Sequence, residues 1–268
     1  MRASLAANGP GSAIRSKVAS VILALLSIAC AGGSAADGPP AFLGYRVVSE
    51  YAHDANAFTQ GLVYYRGFLY ESTGRYGASS IRKVALETGE VVAERALADR
   101  YFGEGLTVVG DRLVQLTWRE RTGFVYDAAS LELIGSFHYP TEGWGLAYDG
   151  AWLHMSDGSA TLYRLDPDTF GIIGKLEVRD TDGPVERLNE LEFIEGFVYA
   201  NVWEEDRIAK IDPASGRVVA WIRLDGLRER GAPGAGVLNG IAYDPASRRL
   251  LVTGKLWPKL FAIDIVAH

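Results

Sequence analysis

Phe58-Thr-Gln-Gly-Leu-Val-Tyr64, Gly103-Glu-Gly-Leu-Thr-Val108, Gly143-Trp-Gly-Leu-Ala-Tyr148, Leu188-Asn-Glu-Leu-Glu-Phe193 and Leu238-Asn-Gly-Ile-Ala-Tyr243 are five versions of one pattern in a chain of 268 residues. With Leu62, Leu106, Leu146, Leu191 and Ile241 as anchors, the copies recur at intervals of 44, 40, 45 and 50 residues. Each copy runs into a turn with Gly or Asp, where a hairpin reaches positive φ, and then into a second apolar run, as in Tyr65-Arg-Gly-Phe-Leu-Tyr70 and Glu195-Gly-Phe-Val198. A third strand and turn follow, as in Ala209-Lys-Ile-Asp-Pro-Ala-Ser-Gly216, and then a fourth strand, as in Val218-Val-Ala-Trp-Ile-Arg223. Four short antiparallel strands in about 45 residues make one β-propeller blade, so the sequence predicts an all-β, five-bladed β-propeller. A β-sandwich has no reason to repeat its strands at a fixed interval.

The last copy supplies three strands, the third being Leu260-Phe-Ala-Ile-Asp-Ile-Val266, and lacks a fourth. Ahead of the first copy, Ala41-Phe-Leu-Gly-Tyr-Arg-Val-Val-Ser-Glu50 reads as a strand without a partner. Placed as the outermost strand of the last blade, it closes the ring and removes an unpaired edge.

Residues 1–36 do not fit this pattern. Arg2, Arg15 and Lys17 precede the apolar run from Val18 to Ala31, and small residues follow to Ala36, which is the order of an export signal. The run has 14 residues, short of the roughly 20 that a membrane span needs. The expected organisation is an export signal over 1–36 and one catalytic domain over 37–268, giving an exported protein, periplasmic or secreted, without a membrane span. Cys30, the single cysteine, also offers a lipid-anchoring site, although Ser27 stands where an aliphatic residue is usual. Thiol catalysis and cysteine–metal sites in the mature domain are thereby excluded. Loss of the three cationic residues takes the net charge from −6 to −9. With no Lys/Arg run to track a phosphate backbone, no nucleic-acid partner is expected. A propeller of this size is expected to work as a monomer.

In a propeller the first strand of each blade lines the axis, so matched positions converge. Two residues before the anchors stand Gln60, Glu104, Trp144, Asn189 and Asn239, and twelve after them stand Gly74, Trp118, Gly158 and Trp203. Lys255 is the match in the fifth copy, whose hairpin loop is two residues longer. Aromatic walls with few polar groups make a small-molecule pocket. A carboxylate enclosed by indoles is expected to have a raised pKa and to exchange protons near neutral pH. The same residues also admit structural roles: Glu104 paired with Lys255, Trp118 and Trp203 packed between blades, and Asn189 and Asn239 satisfying backbone groups. Trp152, Trp221 and Trp257 fall off the register, and Trp152 and Trp221 read as packing. His53, His138, His154 and His268 have no ligand-like spacing, so no metal is expected, and no serine elbow, phosphate loop or dinucleotide fingerprint occurs.

The runs His53-Asp-Ala-Asn-Ala-Phe-Thr-Gln-Gly-Leu62, Tyr101-Phe-Gly-Glu-Gly-Leu106, Gln115-Leu-Thr-Trp118, Glu142-Gly-Trp-Gly-Leu146, Met155-Ser-Asp-Gly158, Leu188-Asn-Glu-Leu-Glu192, Ala200-Asn-Val-Trp203 and Leu238 to Lys255 resemble, in order, the plant and bacterial type of glutaminyl-peptide cyclotransferase. The resemblance covers the chain from about residue 42 onward and implies a five-bladed propeller that converts the N-terminal glutamine of peptides or proteins to pyroglutamate, releasing ammonia without a metal or other cofactor. It further implies Glu104 as the acid/base, with Gln60, Asn189 and Lys255 as polar contacts in catalysis. Trp118, Trp144 and Trp203 would form the substrate pocket, with Phe58, Phe102 and Asn239 completing it. Two other readings of the residues stay open: a lactonase-like hydrolase holding a divalent cation on Glu104, Asn189 and Asn239, and a non-catalytic propeller that binds peptides.

Overall fold

The computed structural model describes residues 38–231 and 233–267. The predicted export segment with Cys30, and His268, lie outside the described residues. The strands follow one another in the order the repeats predict. The first, β1 (Ala41–Ala52), precedes a four-stranded sheet of β2 (Thr59–Tyr65), β3 (Phe68–Thr73), β4 (Ser80–Ala85) and β5 (Val91–Ala96). A second sheet holds β6 (Gly103–Val109), β7 (Arg112–Thr117), β8 (Thr122–Asp127) and β9 (Leu133–His138). A third holds β10 (Leu146–Tyr148), β11 (Leu153–Met155), β12 (Thr161–Leu165) and β13 (Ile172–Glu177). After the small hairpin of β14 (Arg179–Asp180) and β15 (Gly183–Pro184) come β16 (Leu188–Ile194), β17 (Phe197–Val202), β18 (Arg207–Ile211) and β19 (Val218–Arg223). The short helix α1 (Leu227–Gly231) leads to β20 (Leu238–Asp244), β21 (Arg249–Gly254) and β22 (Lys259–Ala267). The architecture is all-β and propeller-like.

The segment predicted as a lone strand is β1, two residues longer than the sequence suggested, and it pairs antiparallel with β22 from Leu43↔Ala267 to Ala52↔Lys259. It also meets β19 in parallel over Ala41, Phe42 and Leu43, a contact the repeats did not foretell, which joins β16–β19 and β20–β22 into one eight-stranded sheet.

Two features of the sequence explain the local structure. At Arg66-Gly67 and Glu195-Gly196 both loop residues have positive φ, at 49° and 86° and at 48° and 90°, which is the two-residue turn whose twist matches its strands. The first strands are buried on both faces, as in β2 and β6, whereas outer strands such as β13 alternate. The core therefore sits between neighbouring sheets. Val63, Tyr70 and Ile81 pack on Leu106, Leu113 and Tyr126, and at the far end of the chain Leu251, Leu260 and Ala262 pack back on Leu62, Leu69 and Val84. Trp221 is in the core as predicted, with Arg207 stacked 3.8 Å from its ring, and so is Trp257. Trp152 is not: 37% of it is exposed.

First strands of adjacent sheets touch where the first three copies of the pattern have their glycine. A Cβ on Gly61 would lie 2.5 Å from the Leu106 nitrogen, one on Gly105 2.6 Å from the Leu146 nitrogen, and one on Gly145 2.0 Å from the Asn189 oxygen. In the fourth copy this position is Glu190, buried, whose carboxylate oxygens accept from the backbone N–H of Leu62 (3.2 Å) and of Ile241 (2.8 Å).

Candidate active site

Four of the five first strands break their ladder at the same point. The register shifts between Thr59 and Gly61, Gly103 and Leu106, Leu188 and Leu191, and Leu238 and Ile241. A bulge leaves residues unpaired and re-aims their side chains. Gln60, Glu104, Asn189 and Asn239 all lie in these gaps. In the third copy β10 begins only at Leu146, and Trp144 is held instead by its N–H donating to the Ser156 carbonyl (2.9 Å). The residues beyond the second strands are fixed by backbone bonds: Trp118 N–H to Phe102 O (3.0 Å), Trp203 N–H to Arg187 O (2.9 Å) and Lys255 N–H to Val237 O (3.0 Å). At Gly74 and Gly158, the two glycines of that register, the space a side chain would take is filled by the rings of Phe102 and Trp144.

These elements surround a cavity of about 510 Å³. Of the ten predicted residues it gathers nine: Gln60, Glu104, Asn189 and Lys255 among the polar ones, with Trp118, Trp144, Trp203, Phe58 and Phe102 as walls. The rings interlock at near-perpendicular angles, Phe58 on Phe102 at 6.1 Å and Trp144 on Trp203 at 5.9 Å between centroids. Such edge-to-face contacts fix ring orientation. Asn239 is the exception. It does not line the cavity, because its amide donates to Thr59 O (3.0 Å) and to Gln60 Oε1 (3.2 Å) behind it.

Glu104 is 4% exposed, and its Oε1 accepts from Gln60 Nε2 at 2.7 Å. Burial raises its pKa well above the usual carboxylate range; the Lys255 charge and the Gln60 bond oppose this, and Glu142 and Glu120 add to it. Lys255 is lowered by burial, with Glu104 opposing. The expected raised carboxyl is thus present for the expected reason. The direct Glu104–Lys255 ion pair is not formed; the ammonium lies 4.8 Å from the centre of the Phe58 ring. Asn189 Oδ1 is buried without a hydrogen-bond partner among the described residues, an acceptor left for an incoming N–H.

Two lining residues had no predicted role, Arg119 and Glu142. Glu142 was legible, since it stands four residues before its anchor, as Phe58 and Phe102 do before theirs. Among the described residues no group of three or more His, Cys, Asp or Glu could hold a metal ion, and no helix is long and apolar enough to cross a membrane.

Residues 20–265 match the family described as glutamine cyclotransferase. A glutaminyl-peptide cyclotransferase of Arabidopsis thaliana is 50% identical over 225 residues, covering 82% of this chain and 70% of that protein. The crystal structure of Myxococcus xanthus glutaminyl cyclase superposes with a TM-score of 0.81 at 39% identity, covering 85% of this chain and 99% of that one.

Proposed function

The chain belongs to the glutamine cyclotransferase family and acts as a glutaminyl-peptide cyclotransferase, and from that premise we propose that Glu104 moves the protons of the reaction. The observation that carries the reading is a buried carboxyl with one oxygen tied to Gln60 and the other without a partner among the described residues, in a cavity walled by three indoles.

The substrate is a peptide or protein with N-terminal glutamine. Its α-amine, with an ordinary pKa of about 8, has a usable neutral fraction. The attack on the γ-carbonyl is intramolecular, so the aromatic walls act mainly by folding the side chain back and holding it there. As the C–N bond forms, the Glu104 carboxylate takes a proton from the attacking nitrogen. The resulting carboxylic acid returns it to the departing amide nitrogen, the C–N bond to that nitrogen breaks, and ammonia leaves with pyroglutamate as product. Charge develops on the γ-oxygen between these steps. Lys255 is the donor for it, since its ammonium has no hydrogen-bonded partner among the described residues, whereas the Gln60 amide is engaged with Glu104. Asn189 Oδ1 accepts a substrate N–H. Asn239 acts through Gln60, whose carboxamide it orients.

We also read the fold as five blades and the protein as a monomer. What supports the count is that, among the described residues, the eight-stranded sheet is joined through the three-residue parallel contact of β1 with β19, every other strand pairing within that sheet being antiparallel. The order of charged, apolar and small residues in 1–36 supports export to the periplasm or the medium. The deciding experiment incubates the protein with glutamine-initiated dipeptides and follows ammonia and the matching loss of mass. Release above the spontaneous rate is expected, and none would leave peptide binding without catalysis as the better account.

A further inference from the structure

The Glu142 carboxylate contacts more of the cavity wall than any role given so far requires. Its Oε2 accepts from the indole Nε1–H of Trp118 at 2.7 Å and from that of Trp144 at 3.1 Å. Its Oε1 faces Arg119 Nε at 3.4 Å, and the Arg119 guanidinium lies 3.8 Å from the centre of the Trp118 ring. Trp118 follows β7 and Trp144 precedes β10, so a single carboxylate joins walls that belong to different sheets. Its own backbone is fixed. Thr141 Oγ1 donates to the Glu142 carbonyl at 2.9 Å, and the next residue, Gly143, donates its N–H to the Trp118 carbonyl at 3.2 Å. A side chain at 143 would meet the Tyr139 hydroxyl at 2.5 Å, so the glycine is what lets the connection pass this close.

An indole has one donor and no acceptor, so its rotation in a cavity is set by where that donor finds a partner. Without Glu142 two N–H groups lose their acceptor together, and the edge contacts of Trp118 with Phe102 and of Trp144 with Trp203 are left to hold the rings. We infer that Glu142 is a positioning residue for this reaction, fixing through one carboxylate the two indole walls against which the glutamine side chain folds back. The inference rests on the cyclisation reading above. It is a role distinct from proton transfer, because the partners of Glu142 are indoles and Arg119.

Glu142 has a second, electrostatic effect. The ionisable groups facing Glu104 are Lys255 from the turn after β21, Glu120 between β7 and β8, Glu142 between β9 and β10, and the phenols of Tyr76 and Tyr139. Burial dominates the rise of the Glu104 pKa, and the Glu142 charge adds to it. Removing that charge while keeping an acceptor would therefore lower the Glu104 pKa without releasing the rings.

The test compares Glu142→Ala and Glu142→Gln with the parent enzyme by kcat, KM, the acid limb of the kcat–pH profile and melting temperature, using a glutamine-initiated dipeptide. Glu142→Ala is expected to lose about 10- to 100-fold in kcat, the scale of a misplacement near 1 Å, with its melting temperature unchanged. Glu142→Gln, whose carboxamide oxygen still accepts, is expected to recover most of that loss while its acid limb moves to lower pH. Two of the six tryptophan indole N–H resonances should move in Glu142→Ala, and much less in Glu142→Gln. Parent-like kcat and pH profile in both variants, or a kcat loss matched by a fall in melting temperature, would overturn the inference. A parent enzyme that releases no ammonia would instead sink the cyclisation reading itself.

Discussion

Glu104 and Glu190 are both buried carboxyls in the bulges of first strands, one in the second copy of the repeat and one in the fourth, and burial raises the pKa of both. They differ in what surrounds the second oxygen. Glu104 shares one oxygen with an amide and presents the other to a cavity. Glu190 gives one oxygen to the Leu62 N–H and the other to the Ile241 N–H, tying three first strands together at the hub. A displaced pKa therefore does not by itself mark a catalyst. What separates the two is that Glu104 lines a cavity large enough for a substrate and Glu190 does not.

Substitution should separate the two. Glu104→Gln keeps the Gln60 contact and removes proton transfer, so turnover is expected to fall by about 10²–10⁴-fold with substrate binding retained; steady-state rates beside equilibrium binding would show it, and near-normal turnover would move the proton-transfer role elsewhere. Glu190→Gln puts an NH₂ against a backbone N–H where an acceptor is needed. Its expected cost is about 2 kcal/mol of stability, from the one backbone donor left stranded, read by denaturant unfolding. A Glu190→Gln protein as stable as the parent would dissolve the contrast. Asn239→Ala sharpens the comparison from behind the pocket. Gln60 loses its orienting donor, and kcat/KM is expected to drop about tenfold, the upper end of what one neutral hydrogen bond is worth, with KM little changed.

The smallest effect concerns pH. A carboxyl whose folded pKa lies above the unfolded value of about 4.3 binds its proton more tightly when folded. Its stabilisation is complete below that value and is lost as pH rises through the raised pKa. Glu104 and Glu190 are of this kind. Glu71 is the reverse: burial pushes it up, but His53 and Arg82 outweigh burial and lower it. Its contribution is present above about 4.3 and lost as pH falls through the lowered pKa. The Glu104→Gln protein is thus expected to be about 1 kcal/mol more stable than the parent at pH 8 and no more stable at pH 4. Equal unfolding midpoints at pH 8 would mean that the Glu104 carboxylate is buried at no cost.

Repetition is what made so much of the site legible. Gln60, Glu104, Trp144 and Asn189 share a register with nothing else in common, and a ring fold brings such positions together whatever their chemistry. Asn239 shares that register too, yet it stands one bond behind the cavity, because alignment fixes where a backbone goes and not which neighbour a carboxamide chooses. Glu190 was missed because it sits one residue nearer its anchor, where the other four copies have Gly61, Gly105, Gly145 and Gly240. The single carboxylate among glycines was the signal. The parallel contact of β1 with β19 had no trace in the pattern, since it is made by backbone groups alone.

The pairing of Ala41–Ala52 with Lys259–Ala267 bears on the order of events during synthesis. Glu50 and Lys259, hydrogen-bonded at 2.7 Å, are 209 residues apart in the chain. Contacts of such separation form late, because the intervening loop must lose its freedom first. Until the distal strand leaves the ribosome, the earlier repeats have no clasp, and the polypeptide stays slack.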